Sequence, residues 1–221
     1  TFPGEPTVEG VDALYGMALG AGCDAVIGVG GGSTLDAAKS LSVMLTNGGN
    51  SMDYLEYVGK GKKVVDMPAP FIPIPTTAGT GSEVGNGSVL CSHELSFKRT
   101  MRDNKMLAKL ALIDPVLMIG MPKKVTAQSG LDALAHNIES YVSWRSTPFS
   151  EMWALRGIEF GGKHLARAYA DGSDYEAREG MAICSVCGGM ALLNAGVGAA
   201  HGIGTNFKAS GRPLSWFTLL T

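Results

Sequence analysis

Asp24-Ala-Val-Ile-Gly-Val-Gly-Gly-Gly-Ser-Thr-Leu-Asp-Ala-Ala-Lys-Ser-Leu-Ser-Val-Met44 is the stretch that decides the fold class. Its first six residues form a short apolar run with β-branched side chains, the composition of a buried strand in an α/β sheet. Gly30, Gly31, Gly32 and Ser33 break the run, and a helix begins at Thr34. Upstream, residues 7–21 carry helical apolar spacing through Val8, Val11, Leu14 and Ala18, with Thr7 placed as N-cap and Gly22 as the stop. Helix, strand, glycine turn, helix is the grammar of an open α/β sheet.

The glycine turn is the first chemical signal. It places backbone N–H groups without side chains at a helix N-terminus, where the dipole also favours an anion such as a pyrophosphate. It does not read G-x-G-x-x-G, and a tight strand-to-helix turn without a ligand would look the same. A second polar, glycine-rich loop follows the extended Phe71-Ile-Pro-Ile-Pro75. This loop, Thr76-Thr-Ala-Gly-Thr-Gly-Ser-Glu-Val84, offers hydroxyl and amide donors suited to phosphate or ribose oxygens, or else a turn that caps itself. Between the two loops, residues 47–70 read as a surface connection with a short helix over Asp53–Val58. Beyond them, Asn86–His93 and Phe97–Arg99 read as a β-hairpin carrying Lys98 as a point charge, and Lys109–Ile113 as a further strand ended by Asp114-Pro115.

From Pro122 onward the pattern is helical only, over Thr126–Trp144, Glu151–Tyr169 and Tyr175–Gly198, which puts a boundary near residue 118. The last of these is small and apolar throughout and is expected to be buried. In the first, Asp132 and His136 stand four residues apart, so a helix sets both side chains on one face. A carboxylate and an imidazole at that spacing are half of a divalent metal site, or else a dipole-favoured acid beside a core histidine. His201, after the buried helix, reads as a structural histidine or as the third donor that such a pair lacks. Cys184 and Cys187 form a C-x-x-C without a second pair at zinc spacing, and read as core packing.

Composition bounds the rest. With 221 residues, 45% hydrophobic and 17% charged, the chain is globular and long enough for one large or two small domains. A net charge of −2 argues against nucleic acid or an anionic membrane as partner. No apolar run is long enough to span a bilayer and no secretory leader is recognisable, so a cytoplasmic location is expected. The 4 cysteines do not form a disulfide framework, and the 31 glycines are clustered, as where backbone approaches a ligand.

Five blocks in order resemble the iron-containing (group III) alcohol dehydrogenases: Gly28–Lys39, Ile74–Val84, Ile113-Asp-Pro115, Gly130-Leu-Asp-Ala-Leu-Ala-His136 with Glu139-Ser-Tyr141, and Asn194–Gly202. The resemblance implies the dehydroquinate-synthase-like fold of that family: an α/β Rossmann-like NAD(P)-binding domain over residues 1–118 and an all-α metal-binding domain over 119–221, with the active site in the cleft between. It also implies hydride transfer between a primary or secondary alcohol or its aldehyde and nicotinamide. By likeness, Gly31, Gly32 and Ser33 meet the pyrophosphate of NAD or NADP. Thr76, Thr77, Thr80 and Lys98 contact the cofactor, and Asp132, His136 and His201 ligate Fe²⁺, or Zn²⁺ in some members. Homodimerisation is a family expectation.

The chain departs from the pattern in several places. It is expected to be incomplete at both ends, starting after the family's first βαβ region and stopping within the helical domain. Thr205 stands where members usually carry another histidine, and Asn206–Trp216 replaces the Pro-His-Gly that holds the last ligand. Gly85 replaces the usual Thr. A dehydroquinate-synthase-like or glycerol-dehydrogenase-like relative, or an inactive remnant of the family, are the alternative readings.

Overall fold

The computed structural model describes residues 4–203, and the departures at Thr205 and Asn206–Trp216 lie outside them. The sequence pattern cuts the chain once, near residue 118. In the structure the chain divides into two compact units, and Pro75–Gly85 joins the second unit with the described residues from Ile113 onward. The loop belongs there because Ala78 is buried in one cluster with Met118, Ala133, Met181 and Ala182.

The first unit comprises the described residues up to Ile74 and Asn86–Leu112. Helix α1 (Val8–Gly20) opens with Thr7 Oγ1 accepting the Gly10 N–H, and it ends where Gly22, at φ 66°, donates to Leu19 O. Strand β1 (Val26–Gly30) pairs with β2 (Phe71–Pro75), and α2 (Gly32–Asn47) packs against β1. The packing is close: a Cβ on Gly28 would sit 2.9 Å from Ala38 Cβ and 3.3 Å from the Phe71 ring. Strands β3 (Gly87–Ser92) and β4 (Phe97–Arg102) form the antiparallel hairpin, in register Gly87↔Arg102 to Ser92↔Phe97. Val11, Val43, Met44, Leu55 and Leu90 are fully buried in its core, each contributing roughly 1.5–3 kcal/mol of transfer free energy.

A polar seam joins α2 to the hairpin. Lys39, fully buried, donates from Nζ to Gly87 O at 2.9 Å. Asp36 Oδ2 accepts the Val89 N–H at 2.9 Å, Ser88 Oγ donates to Asp36 O, and the Ser40 and Ser88 hydroxyls meet at 2.7 Å.

Two expected elements differ here. Lys109–Ile113 is not a strand. Leu112 donates its N–H to Pro73 O, but the β2 edge that faces it carries Phe71, Pro73 and Pro75, and proline has no N–H to return. Leu110 and Leu112 are correspondingly exposed, at 59% and 47%. The short helix over Asp53–Val58 is instead α3 (Ser51–Tyr54), started by a capping box between Asn50 and Asp53; Leu55 turns extended and Tyr57 adopts φ 65°.

The second unit is built on three helices, α4 (Lys123–Tyr141), α5 (Pro148–Ala170) and α6 (Tyr175–Ala195), which pack pairwise. Thr147 caps α5 in a reciprocal pair with Ser150, and Asp174 caps α6 at the Ala177 N–H. As expected, α6 is buried along most of its length, with Cys184 and Cys187 inside and unpaired as thiols. Glycines let the helices approach: a Cβ on Gly157 would fall 2.0 Å from Asn137 Oδ1, and one on Gly180 2.3 Å from the His164 ring. The buried Arg178 donates to Thr126 Oγ1, Gly172 O and Met121 O, tying both ends of the bundle's entry loops to α6.

Candidate metal centre

One face of α4 and the turn after α6 build the centre. Asp132 and His136, one helical turn apart, project from α4, and residues 199–203 form a further helical turn that brings in His201. One donor atom from each of these three residues can be chosen so that all lie within 4.8 Å of one another. His201 Nε2 stands 3.4 Å from Asp132 Oδ1, and the two imidazoles stack with centroids 4.4 Å apart.

Each ring is held at its far nitrogen. His136 Nδ1 is 3.3 Å from Gly79 O; a carbonyl only accepts, so Nδ1 carries the hydrogen and Nε2 keeps its lone pair. Gly79 reaches this position because it has no side chain: a Cβ there would lie 2.8 Å from Ser129 Cβ on α4. The next turn of the loop is equally close to α6, where a Cβ on Gly81 (φ 63°) would lie 2.6 Å from Gly189 Cα. The buried Glu83 accepts from Ser185 Oγ at 3.4 Å. His201 Nδ1 lies 2.5 Å from Glu139 Oε2, and the same carboxylate accepts the Gly198 and Ala200 N–H groups at 2.9 and 2.6 Å.

Environment separates the two histidines. Burial drives His136 below its ordinary pKa, against the opposing pull of Asp132, so the ring is neutral and able to ligate. Burial also pulls His201 down, but hydrogen bonds and charge from Asp132 and Glu139 outweigh it and hold the ring above its ordinary value. Burial would raise Glu139 as well, yet the Gly198 N–H, His201 and the Ala200 N–H together keep its carboxyl below the usual range. Two imidazoles and one carboxylate, inward-facing and oriented from behind, are a donor set that fits ferrous iron or zinc, with room in the coordination shell for a further ligand.

The residues expected at the cofactor fall in both units. Gly31 is the N-cap of α2, so Gly32 and Ser33 supply first-turn N–H groups in the first unit. Lys98, also there, pairs with Glu5 at 2.7 Å. In the second unit, Thr76 and Thr77 are partly buried, while the exposed Thr80 accepts the Ser82 N–H at 3.2 Å, the self-capping expected of such a loop. Glu139 and Gly79, which orient the rings, carry no role in the sequence reading. The Glu at three residues after His136, on the same helix face, is the signal that could have found the first; nothing in the sequence announces a backbone carbonyl.

A glycine-turn α/β unit and a helical unit that gathers an Asp/His/His donor set are the two halves expected of a metal-dependent, dinucleotide-linked oxidoreductase. More narrowly, the chain belongs to the iron-containing alcohol dehydrogenase family. The family's model, described as iron-containing alcohol dehydrogenase, matches residues 1–115, and the model of the family's C-terminal part matches residues 126–210. Among curated relatives, choline dehydrogenase of Bacillus subtilis is 42% identical over 179 residues, which are 81% of this chain and 44% of the relative. Long-chain-alcohol dehydrogenase 1 of Geobacillus thermodenitrificans is 41% identical over 199 residues, 90% of this chain and 50% of the relative. Among solved structures, sulfoacetaldehyde reductase from Bifidobacterium kashiwanohense in complex with NAD+ matches with a TM-score of 0.88 at 32% identity, covering 93% of this chain and 54% of that one. The chain thus spans about half the length of the relatives it matches. Among the described residues, no helix is long and apolar enough to cross a membrane.

Proposed function

We propose that this chain carries the metal-binding and nucleotide-binding parts of an alcohol dehydrogenase, which moves hydride between a small primary or secondary alcohol and NAD or NADP, interconverting the alcohol with the corresponding aldehyde or ketone. The observation that carries this reading is the convergence of Asp132, His136 and His201 within 4.8 Å. Membership of the family supports it, as do the alcohol-oxidising names of the relatives and the NAD+ held by one structural neighbour.

Asp132, His136 and His201 would hold the ion. A divalent ion there would supply Lewis acidity toward an alcohol or carbonyl oxygen. Asp132 brings the negative charge to the set, the buried and neutral His136 brings a lone pair, and the Gly79 carbonyl keeps that lone pair directed inward. The N–H groups at Gly32 and Ser33, with the helix dipole behind them, would receive the pyrophosphate at the Gly31 turn. The hydroxyls of Thr76, Thr77 and Thr80 would meet cofactor oxygens, and Lys98 would serve the nucleotide by moving from Glu5. No side chain needs to act as a nucleophile, because hydride passes directly between carbons. By family, the working assembly would be a homodimer.

The test is metal content and cofactor titration of the same chain. Loaded anaerobically with Fe²⁺, or with Zn²⁺, the protein should retain about one ion per chain, and His136→Ala should lose it. Metal well below that level in the parent, unchanged in the variant, overturns the metal reading. Titration with NADH should saturate in the parent and weaken in Ser33→Arg; identical curves remove the glycine turn from the site.

A further inference from the structure

We propose that Glu139 is the positioning residue of the metal centre: it sets which nitrogen of His201 faces the ion and where the ring stands. This rests on the metal reading above and assigns a role within it.

Glu139 lies three residues after His136 on α4, on the face that carries Asp132 and His136. Its side chain is 12% exposed. Oε2 meets His201 Nδ1 at 2.5 Å and accepts the Gly198 N–H at 2.9 Å. Oε1 accepts the Ala200 N–H at 2.6 Å and the His201 N–H at 3.4 Å. One carboxylate therefore gathers both the ring and the backbone of the segment that delivers the third donor. With its oxygens engaged by these four donors, Glu139 stands behind His201 and does not belong to the ligand set.

The consequence is chemical as well as steric. An ionised carboxylate is acceptor-only, so Nδ1 keeps its hydrogen on Glu139, and Nε2, 3.4 Å from Asp132 Oδ1, is the nitrogen whose proton a cation between the two would replace. A carboxylate behind a ligating imidazole fixes its tautomer and increases its basicity as a ligand. His136 is secured by different means, a main-chain carbonyl, so only His201 depends on a side chain that substitution can change.

The discriminating variant is Glu139→Gln, nearly the same shape. Its amide oxygen can still accept backbone N–H groups, but its NH₂, turned to Nδ1, demands an acceptor there and so moves the ring hydrogen to Nε2, blocking ligation. Co²⁺ affinity, measured by chelator competition and followed by the visible d–d bands, should fall about 10- to 100-fold in Glu139→Gln while the unfolding midpoint of the metal-free protein changes little. Equal affinity in parent and variant overturns the role of Glu139 and leaves the metal site standing. A parent that binds no Co²⁺ overturns the metal reading, and this inference with it. Should the variant not fold, ¹⁵N spectra of the Zn²⁺-loaded parent decide: a protonated Nδ1 and a metal-bound Nε2 on His201 are expected, and a metal-bound Nδ1 overturns the proposal.

Discussion

The two units dock their helices by opposite means. In the first, α2 meets the β3–β4 hairpin through a polar seam, with a fully buried lysine, two paired serine hydroxyls and an aspartate on a strand N–H. In the second, α4, α5 and α6 meet largely where side chains are absent, at Gly157, Gly161 and Gly180. Hydrogen bonds fix register and tolerate little displacement; glycine contacts fix distance and tolerate no added volume. The Asp132, His136 and His201 cluster lies on the glycine-packed unit, where close approach of main chain to helix brings the Gly79 carbonyl to His136.

The largest expected effect tests how dry the glycine-packed core is. Burial pushes the Cys184 thiol up to about 12, so at pH 8 its reactive thiolate is about a thousand-fold scarcer than for a thiol at the ordinary 9.0. Ellman titration of the folded protein should register the exposed Cys23 rapidly, while Cys184 reacts only on unfolding. Fast reaction of Cys184 would mean that the helices separate readily.

Volume is the next probe. Gly157→Val should destabilise the second unit by about 3 kcal/mol or more, because Asn137, pinned by its bonds to Ala133 O and Cys184 O, cannot yield. Urea unfolding followed by far-UV dichroism measures it. In the polar seam, Lys39→Ala should cost about 2–4 kcal/mol, through a cavity and the loss of the donor to Gly87 O. Ser40→Ala should cost about 1 kcal/mol, seen as a lower denaturation midpoint with an unchanged m-value. The smallest effect has the opposite sign. Gly162, next to the tightly packed Gly161 but with nothing within 4 Å of an added Cβ, should gain up to about 1 kcal/mol as Gly162→Ala. A loss there would show that the glycine-packed helices are fitted on their outer face too.

Much of this architecture is legible in the residues. Thr7 and Gly22 bound α1 because a hydroxyl cap and a left-handed glycine act locally. The helical runs from residue 122 declare themselves by period, although Pro148 at the first turn extends α5 three residues ahead of the Glu151 start. The segment Lys109–Ile113 misleads because its alternation is local, whereas the lack of donors on the Pro73/Pro75 edge is a property of its partner. At the centre, Asp132 and His136 are readable from one helix, and His201 follows by likeness to the family. The hands behind the rings are not readable: Gly79 acts through a carbonyl that every residue has, and Glu139 acts on a segment about sixty residues away that only tertiary structure brings near.

The loop Pro75–Gly85 belongs to the second unit while the chain on both sides of it belongs to the first. During synthesis it therefore emerges long before the helices it serves. The α6 residues that receive Gly81 and Glu83 are made roughly a hundred residues later, some 5–20 s at ordinary elongation rates. For that interval the first unit can close around its own core, but the segment that will steady His136 has nothing to rest on. The order of translation makes the helical unit assemble after the α/β unit, and a chaperone or protease meeting the nascent chain would find this loop among its targets.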